Sequence, residues 1–225
     1  KAELWIEVSK KAIAESEIDQ WEEDGEIEWG FDERNGRLII KGKGPLDDYA
    51  DGSKTSQMKD YDCWPENKRS PWRKKYEDQI KSVVICHGVS SIGNYAFKHC
   101  SNLRSVALPI SVTSIGYSTF VFCSHLASVV IPDSITSIED WTFASCGFSS
   151  IKIPSSVISI EGNPFRECAN LEVIDDSGNP NFVFAEGVLF DKDMTQIILC
   201  TSSKSCAYTI PGTVTTILER AFRGC

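Results

Sequence analysis

A phrase of about 23 residues recurs through most of this chain and constrains its fold more than any other feature. Its clearest copy, residues 106–126, joins a strand-like Val-x-Leu-Pro, a second extended segment, and a turn with Phe120, Cys123 and Leu126. Related copies begin at residues 83, 129, 151 and 208. A unit of this length cannot bury its own apolar face, so the copies must stack. The repeat predicts a β-rich α/β solenoid, a right-handed array of about five coils with short strands and helical turns.

Stacking in register places equivalent side chains of successive coils in columns. One internal column is predicted to contain Phe97, Phe120, Phe143, Phe165 and Phe222. A second column is predicted to contain Cys100, Cys123, Cys146, Cys168 and Cys225. In-register side chains point in parallel directions, so these cysteines are predicted to be buried thiols rather than disulfides. A hydroxyl would have no partner in that column, and Cys123→Ser is therefore predicted to cost about 1–3 kcal/mol.

Four of the nine cysteines lie outside this column. They are Cys63, Cys86, Cys200 and Cys206. These could form disulfides, most easily Cys200 with Cys206, although an odd number of cysteines leaves at least one thiol without a partner. A fold that depends on disulfides is therefore not expected.

Composition changes near residue 82, because five of the six tryptophans and most charged side chains come before it. We predict an amphipathic helix over residues 2–15, which with an acidic linker makes up residues 1–26. Residues 27–82 are predicted to form a hairpin module that caps the first coil. Residues 83–225 are predicted to form the repeat domain, with a hairpin insertion at residues 175–206.

The predicted cap hairpin has a recognisable turn. Asn35-Gly36 separates two apolar segments, residues 27–31 and 38–40, and this dipeptide supplies the positive φ angles of a tight turn. Trp72 follows a proline just before the first coil. The hairpin and Trp72 are predicted to cover the apolar end of the stack.

The repeat resembles one known family. The pattern Pro-x-Ser-Val-x-x-Ile followed by (Ala/Thr)-Phe-x-x-Cys-x-x-Leu is similar to the BspA-like leucine-rich repeat of bacterial and protist surface proteins. The segments around Trp29, Asp48-Tyr49 and Pro71-Trp72 resemble the entry module of such proteins. The resemblance implies that residues 83–225 are a leucine-rich repeat domain, with an extracellular or cell-surface location and a role in protein binding or adhesion. Because the last copy stops before its Leu position, we also expect a longer parent protein.

Several function classes are disfavoured by composition and spacing. A net charge of −9 argues against nucleic acid, and no apolar run is long enough to insert into a membrane. His99 and His125 lack zinc-ligand spacing, and Asp47–Gly52 lacks the later carboxylate of a calcium loop. No nucleophile motif or phosphate loop is present. We predict no enzyme, no metal and no cofactor.

The remaining hypothesis is a binding module for an unidentified protein, either a host protein or another cell-surface protein. Its predicted contacts are outward strand residues and phenylalanines of the insertion, namely Ser105, Ala107, Ser128, Val130, Ser150, Lys152, Phe182, Phe184 and Phe190. The phenylalanines could instead form a buried hairpin face. A structural spacer that projects another domain is an alternative, since the strand positions are small. Glycan binding, through Tyr117 or the N-terminal tryptophans, is another.

Overall fold

The structure is a computed structural model that describes residues 18–49, 69–201, 207–223 and 225. The helix predicted at residues 2–15 lies outside these ranges. One short helix, α1 (Pro71–Tyr76), is described. The strands are β1 (Trp21–Asp24), β2 (Ile27–Asp32), β3 (Arg37–Gly42), β4 (Gly44–Pro45), β5 (Ser82–Ile85), β6 (Val89–Ile92), β7 (Ser105–Ala107), β8 (Ser114–Ile115), β9 (Ser128–Val129), β10 (Ser137–Ile138), β11 (Ser150–Lys152), β12 (Ser159–Ile160), β13 (Val173–Asp175), β14 (Phe182–Ala185), β15 (Val188–Asp191), β16 (Gln196–Cys200) and β17 (Thr216–Ile217).

The fold is a β-solenoid whose coils have three sides. The first side carries one strand per coil, and these strands pair in parallel from β3 through β5 and β7 to β9. The second side carries the shorter strands, with β4 beside β6, β6 beside β8, and β10 beside β12. The third side is a turn. We call the outward surface of the first side the strand face and that of the third side the turn face.

The solenoid has about six turns, so the predicted number of five was too low. The additional turn is the cap, because β3 and β4 pair in parallel with β5 and β6 and continue the stack backwards. The sequence pattern of the repeat is absent from these cap residues. They join the stack by backbone pairing, which requires extended geometry rather than a particular side chain.

The predicted phenylalanine column is present in the regular part of the stack. The ring centroids of Phe97 and Phe120 are 5.3 Å apart, those of Phe120 and Phe143 5.6 Å, and those of Phe143 and Phe165 6.0 Å, all in stacked orientation. These side chains are buried. Placing Phe222 in this column was wrong. Its side chain is 36% exposed, because the insertion separates the last coil from Phe165.

The cysteine column is buried, and its thiols make directed contacts. Cys100, Cys123, Cys146 and Cys168 are not in disulfides, which confirms the prediction of unpaired thiols there. The thiol of Cys123 donates to the carbonyl of Phe97 in the preceding coil, with an Sγ to O distance of 3.2 Å. Cys146 and Cys168 repeat this contact one coil further on. The column therefore offers a hydrogen-bond acceptor to a hydroxyl at position 123. The prediction that such a hydroxyl would lack a partner was wrong.

Cysteines elsewhere differ from the column. Cys225 was predicted inside it, but its side chain is exposed at the end of the last coil. Cys63 and Cys206 lie outside the described residues, so the pairing of the four off-column cysteines stays a prediction.

The turns of the coils are not helical, contrary to the prediction. In the first three regular turns, the residues two before and two after the core phenylalanine have positive φ, as Tyr95 at 59° and His99 at 63° show. In the fourth turn only Glu167, two residues after Phe165, does.

The alternation aligns the intervening N–H groups along the solenoid axis. The N–H groups of Tyr95, Phe97 and His99 donate to carbonyls of the next coil at 2.9–3.2 Å. The next coil repeats all three bonds, and the coil after it repeats those of Phe143 and Ser145. We call this the turn ladder.

The cap contains the predicted hairpin. β2 pairs antiparallel with β3 from Ile27 opposite Gly42 to Asp32 opposite Arg37. In the connecting turn Gly36 has a φ of 65°, but Asn35 does not have a positive φ. The Asn35 side chain instead donates to the carboxylate of Asp32 at 2.6 Å. Residues 21–24, predicted within an acidic linker, form β1 beside β2.

Trp72 on α1 closes the phenylalanine column at the cap. Its ring stacks on Phe97 with centroids 5.7 Å apart, and it is fully buried. Its Nε1–H donates to the carbonyl of Ala96 at 3.0 Å, and the hydroxyl of Ser70 donates to the same oxygen at 2.9 Å. In the next coil, the corresponding carbonyl of Thr119 receives the N–H of Phe97. The cap thus replaces a backbone donor of the turn ladder by two side-chain donors.

The insertion follows β13, the sixth first-side strand when β3 of the cap is counted as the first. β13 pairs in parallel with β11, so residues 173–175 still belong to the regular first side. β14, β15 and β16 then form an antiparallel meander, and β16 pairs in parallel with β17 of the last coil. The last coil therefore stacks on the insertion. Its second-side strand, β17, pairs with β16 instead of with a second-side strand of a regular coil.

Candidate binding faces

The predicted strand residues do share one surface, the strand face. Ser105 lies opposite Ser128, and Ala107 lies opposite Val84. Val130 is 65% exposed and is the most exposed large apolar side chain on this face. The side chains of Ser128, Ser150 and Lys152 are also exposed. The face is therefore continuous and accessible, but its side chains are small or flexible.

At the far end of this face, Lys152 is opposite Asp175 on the neighbouring strand, with Nζ and Oδ2 3.9 Å apart. Both side chains are largely solvated, so the pair contributes little to stability. Hydrogen bonds from the side chain and the backbone N–H of Ser177 lower the pKa of the Asp175 carboxyl. Its carboxylate therefore remains ionised on the strand face.

The insertion phenylalanines do not form a protruding surface. Phe182 and Phe190 are buried, and Phe184 is half-buried against the main core. Phe190 is opposite Val183, so it lies on the other hairpin face from Phe182. The last coil covers that second face, with Phe190 packed in a cluster that includes Ala221. Phe182 and Phe190 are therefore not surface anchors, because the hairpin is sandwiched between two parts of the core.

The turn face carries an aromatic cluster that the sequence predictions did not assemble. Tyr95 and Tyr117 meet edge to face with centroids 5.5 Å apart. His99 and Phe122 stack with centroids 4.8 Å apart and planes 12° apart. All four rings are half-exposed. We call these four residues, together with the buried Trp141 behind them, the aromatic patch.

A small core of its own supports the aromatic patch. Val121, Trp141 and Ala144 are buried together, and Tyr117 and Phe122 pack against them. The turn ladder fixes the backbone at each ring, because it bonds the N–H groups of Tyr95, His99 and Phe122 to the following coil and the carbonyl of Tyr117 accepts the N–H of Tyr95. The patch is therefore held by backbone hydrogen bonds below and by apolar packing behind.

Two cations flank the patch along the solenoid. The ammonium of Lys98 lies 5.7 Å from the ring centroid of Tyr95. The guanidinium of Arg166 lies 4.0 Å from that of Trp141 and also donates to Glu167 at 2.7 Å. The Nε and Nη1 atoms of Arg166 are buried without an acceptor in the described part of the chain. The geometry places positive charge at both ends of an aromatic surface.

Sequence reasoning missed this cluster because its members occupy variable positions of the repeat. Only Tyr117 was considered, as a glycan contact, whereas positions of the core Phe and Cys received most weight. Tyr95 and Tyr117 lie two and three residues before the core Phe of their coils, and His99 and Phe122 lie two residues after it. Ring-bearing residues at these offsets in two adjacent copies were the signal that could have revealed the patch.

The described residues offer little for catalysis. They contain no group of three or more His, Cys, Asp or Glu side chains arranged to hold a metal ion. Burial raises the pKa of Cys100 and of Cys168 to about 12, so these thiols stay protonated and are poor nucleophiles. Among the same residues, no helix is long and apolar enough to cross a membrane.

The comparison with known families agrees with the repeat geometry. A family model for the BspA type leucine rich repeat region matches residues 75–185 in six copies. Residues 75–185 are therefore BspA-type leucine-rich repeats. The match begins within α1 and leaves out the cap strands β3 and β4, which agrees with the absence of the repeat pattern from the cap residues.

Solved structures with the same fold include two bacterial proteins. A leucine-rich repeat protein from Eubacterium ventriosum is 27% identical, with a TM-score of 0.69 over 89% of this chain. The pneumococcal vaccine antigen PcpA is 19% identical, with a TM-score of 0.54 over 92% of this chain. The chain spans 56% and 62% of these two proteins, respectively. No match was found among curated protein sequences.

Proposed function

We propose that this chain is a binding module of a cell-surface or secreted protein and that it holds a protein partner through the aromatic patch. The observation that carries this proposal is the row of half-exposed rings Tyr95, His99, Tyr117 and Phe122 on an ordered backbone. Tyrosine, phenylalanine and arginine are enriched at protein interfaces, and aromatic anchors provide much of the binding energy. Because the turn ladder fixes the rings beforehand, little ordering cost accompanies binding.

The location outside the cell and the adhesive role rest on the resemblance to the surface-protein family. The same resemblance supports a partner that is itself exposed on a cell, whether of a host or of a neighbouring cell. A non-enzymatic role accords with a scaffold of stacked coils.

The strand face remains a second predicted contact surface. Its half-buried Ala107 and exposed Val130 and Lys152 form a smooth ladder, but they include no aromatic side chain to act as an anchor. This smoothness favours the alternative of a structural spacer. Glycan binding is the other alternative, because half-exposed tyrosines beside polar groups also suit sugar rings.

One comparative binding experiment tests these options. The purified chain would be screened against a panel of extracellular matrix and cell-surface proteins and against a glycan array. Each positive would be measured again with a turn-face variant, Tyr95→Ser with Tyr117→Ser, and with a strand-face variant, Ala107→Arg with Val130→Arg. Thermal melting would establish that both variants are folded.

We expect at least one protein partner whose affinity falls tenfold or more in the turn-face variant and is unchanged in the strand-face variant. The reverse result would overturn the patch and favour the strand face. Binding to glycans alone would favour the glycan alternative. No binding on either screen would favour the spacer.

A further inference from the structure

A cavity of about 350 Å³ lies in the cap, between the β2–β3 hairpin and the end of α1. Its volume is near the lower end of the range for small-ligand sites. Its aromatic wall consists of Trp29, Phe31 and Tyr76. Phe31 stacks on Tyr76 with centroids 4.2 Å apart, and Trp29 meets Tyr76 edge to face at 6.3 Å. This wall is packed into the core and is therefore preformed.

The aromatic wall contains a buried donor without an acceptor. Trp29 is 1% exposed, and its Nε1–H has no hydrogen-bond partner within the described ranges. The neighbouring tryptophan, Trp72, satisfies its own Nε1–H at Ala96. A buried donor usually has a partner, and one that lacks it beside a cavity indicates where an acceptor atom of a ligand would bind.

The opposite wall of the cavity is acidic. Asp19, Glu22, Asp32 and Glu33 line it, against the single cation Arg34. Burial of Asp32 opposes its ionisation, but hydrogen bonds from Asn35 and Arg34 outweigh that effect and lower the pKa of its carboxyl. Arg34 Nε lies 3.6 Å from Asp32 Oδ1. Asp19 and Glu33 are exposed and form no ion pair with the described residues, so negative charge is in excess.

The protein already places one ammonium group in this environment. Lys75 on α1 has its Nζ 2.5 Å from Glu22 Oε1 and 5.7 Å from the ring centroid of Trp29. An ammonium that contacts a carboxylate and an aromatic face gains from both. Among the described residues, no such cation contacts the carboxylate of Asp19 or that of Glu33.

We propose that the cavity binds a basic side chain, lysine or arginine, of a peptide segment. The cationic group contacts the carboxylates of Asp19 and Glu33, and a carbonyl oxygen of the same segment accepts the Nε1–H of Trp29. A neutral sugar could accept from the indole, but it would gain nothing from the excess charge. This site is separate from the aromatic patch and does not depend on the proposed function.

The test uses small probes and the isotope-labelled chain. Nα-acetyl-lysine methylamide would be titrated while the indole Nε1–H resonance of Trp29 is followed by NMR. Nα-acetyl-norleucine methylamide, which has no charge, is the matched control probe, and methyl glucoside tests for a carbohydrate site. The chain variants are Asp19→Asn and Glu33→Gln, with Glu172→Gln, exposed in the repeat region, as the control.

We expect a saturable shift of the Trp29 resonance with the lysine probe, and weaker binding at higher salt. Asp19→Asn and Glu33→Gln should each weaken binding about two- to fivefold. Glu172→Gln should not change it. Equal shifts with the norleucine probe, saturation by methyl glucoside alone, no shift with lysine, or unchanged affinity in both carboxamide variants would each overturn the proposal. Failure of the aromatic patch would leave this titration unaffected.

Discussion

The two ends of the solenoid bury the same kind of residue to very different extents. At the cap end Trp72 is fully buried on Phe97, which is itself fully buried. In the last coil Phe222 is 36% exposed and Ile217 is 47% exposed, although both occupy repeat positions that are buried elsewhere. The repeat position alone therefore does not determine burial. A coil needs a neighbour on each side, as expected where stability comes from nearest-neighbour interfaces.

The largest expected effect contrasts the two ends directly. Trp72→Ala should lower the free energy of unfolding by about 3–5 kcal/mol, because it empties a fully buried site and removes the bond to Ala96. Phe222→Ala should cost only about 1–2 kcal/mol, since that side chain is already 36% exposed. Urea unfolding of both variants measures the difference. Equal losses would show that the cap does not close the stack.

A pair of glycines provides the next contrast. A Cβ at Gly93, in the first coil, would lie 2.0 Å from the carbonyl oxygen of Asp47 in the cap. A Cβ at Gly212, in the last coil, would meet nothing within 4 Å. Gly93→Ala should therefore cost about 1–3 kcal/mol by separating cap and coil, and Gly212→Ala should be neutral within about 0.5 kcal/mol. Thermal or urea unfolding checks both, and a neutral Gly93→Ala would contradict this close packing.

A smaller effect concerns the buried thiols at alkaline pH. Burial raises the pKa of Cys168 to about 12, whereas an unfolded cysteine titrates near 8.5. Above the unfolded value only the unfolded state loses the proton, so stability is complete below that pH and falls as pH rises toward 12. Between pH 8 and 9.5 the free energy of unfolding of wild type should fall by about 1 kcal/mol more than that of Cys168→Ala.

The control for that experiment is Cys225→Ala, which removes the exposed thiol of the last coil. Its pH profile should follow that of wild type. Unfolding free energies at several alkaline pH values provide the measurement. A Cys168→Ala profile as steep as wild type would show that the column thiol is not protected by burial.

The smallest expected effect is that of a reducing agent. Cys100, Cys123, Cys146 and Cys168 form no disulfide, so the regular stack has nothing to reduce. Dithiothreitol should move the melting temperature by less than about 1 °C, given the several kcal/mol that loss of a structural disulfide usually costs. A drop of many degrees, followed in a calorimeter, would place a stabilising disulfide among Cys63, Cys86, Cys200 and Cys206.

Sequence patterns predicted the regular part of this fold well, for a physical reason. The phenylalanines and cysteines recur at fixed spacing because each faces the same column, as Phe120 and Cys123 do. The conformation of the turns was missed because residues such as Tyr95 and His99 adopt positive φ, which is unusual for side chains other than glycine or asparagine. The conformational propensities of these residues favoured a helical turn, but backbone hydrogen bonds to the next coil determined the observed conformation.

The candidate sites were less predictable than the fold. Phe182 and Phe190 were predicted as outward anchors on a protruding insertion, but the last coil covers one side of their hairpin and the core covers the other. The aromatic patch depends on which variable positions of neighbouring coils meet across space. The cap cavity depends on residues that are distant in sequence, such as Phe31 and Tyr76. Such juxtapositions follow from tertiary packing rather than from any local pattern.

The turn ladder gives the solenoid a direction. Every N–H in it donates from an earlier coil to a carbonyl of a later one. The carbonyl oxygens of the first regular coil therefore face the cap. Ser70 and Trp72 supply donors there, while at the other end of the regular stack the N–H of Phe165 is received by the side chain of Asn163. A coil duplicated in the middle would find matching groups on both sides. The same cap moved to the opposite end would present donors to donors, so this architecture can be lengthened but cannot be reversed.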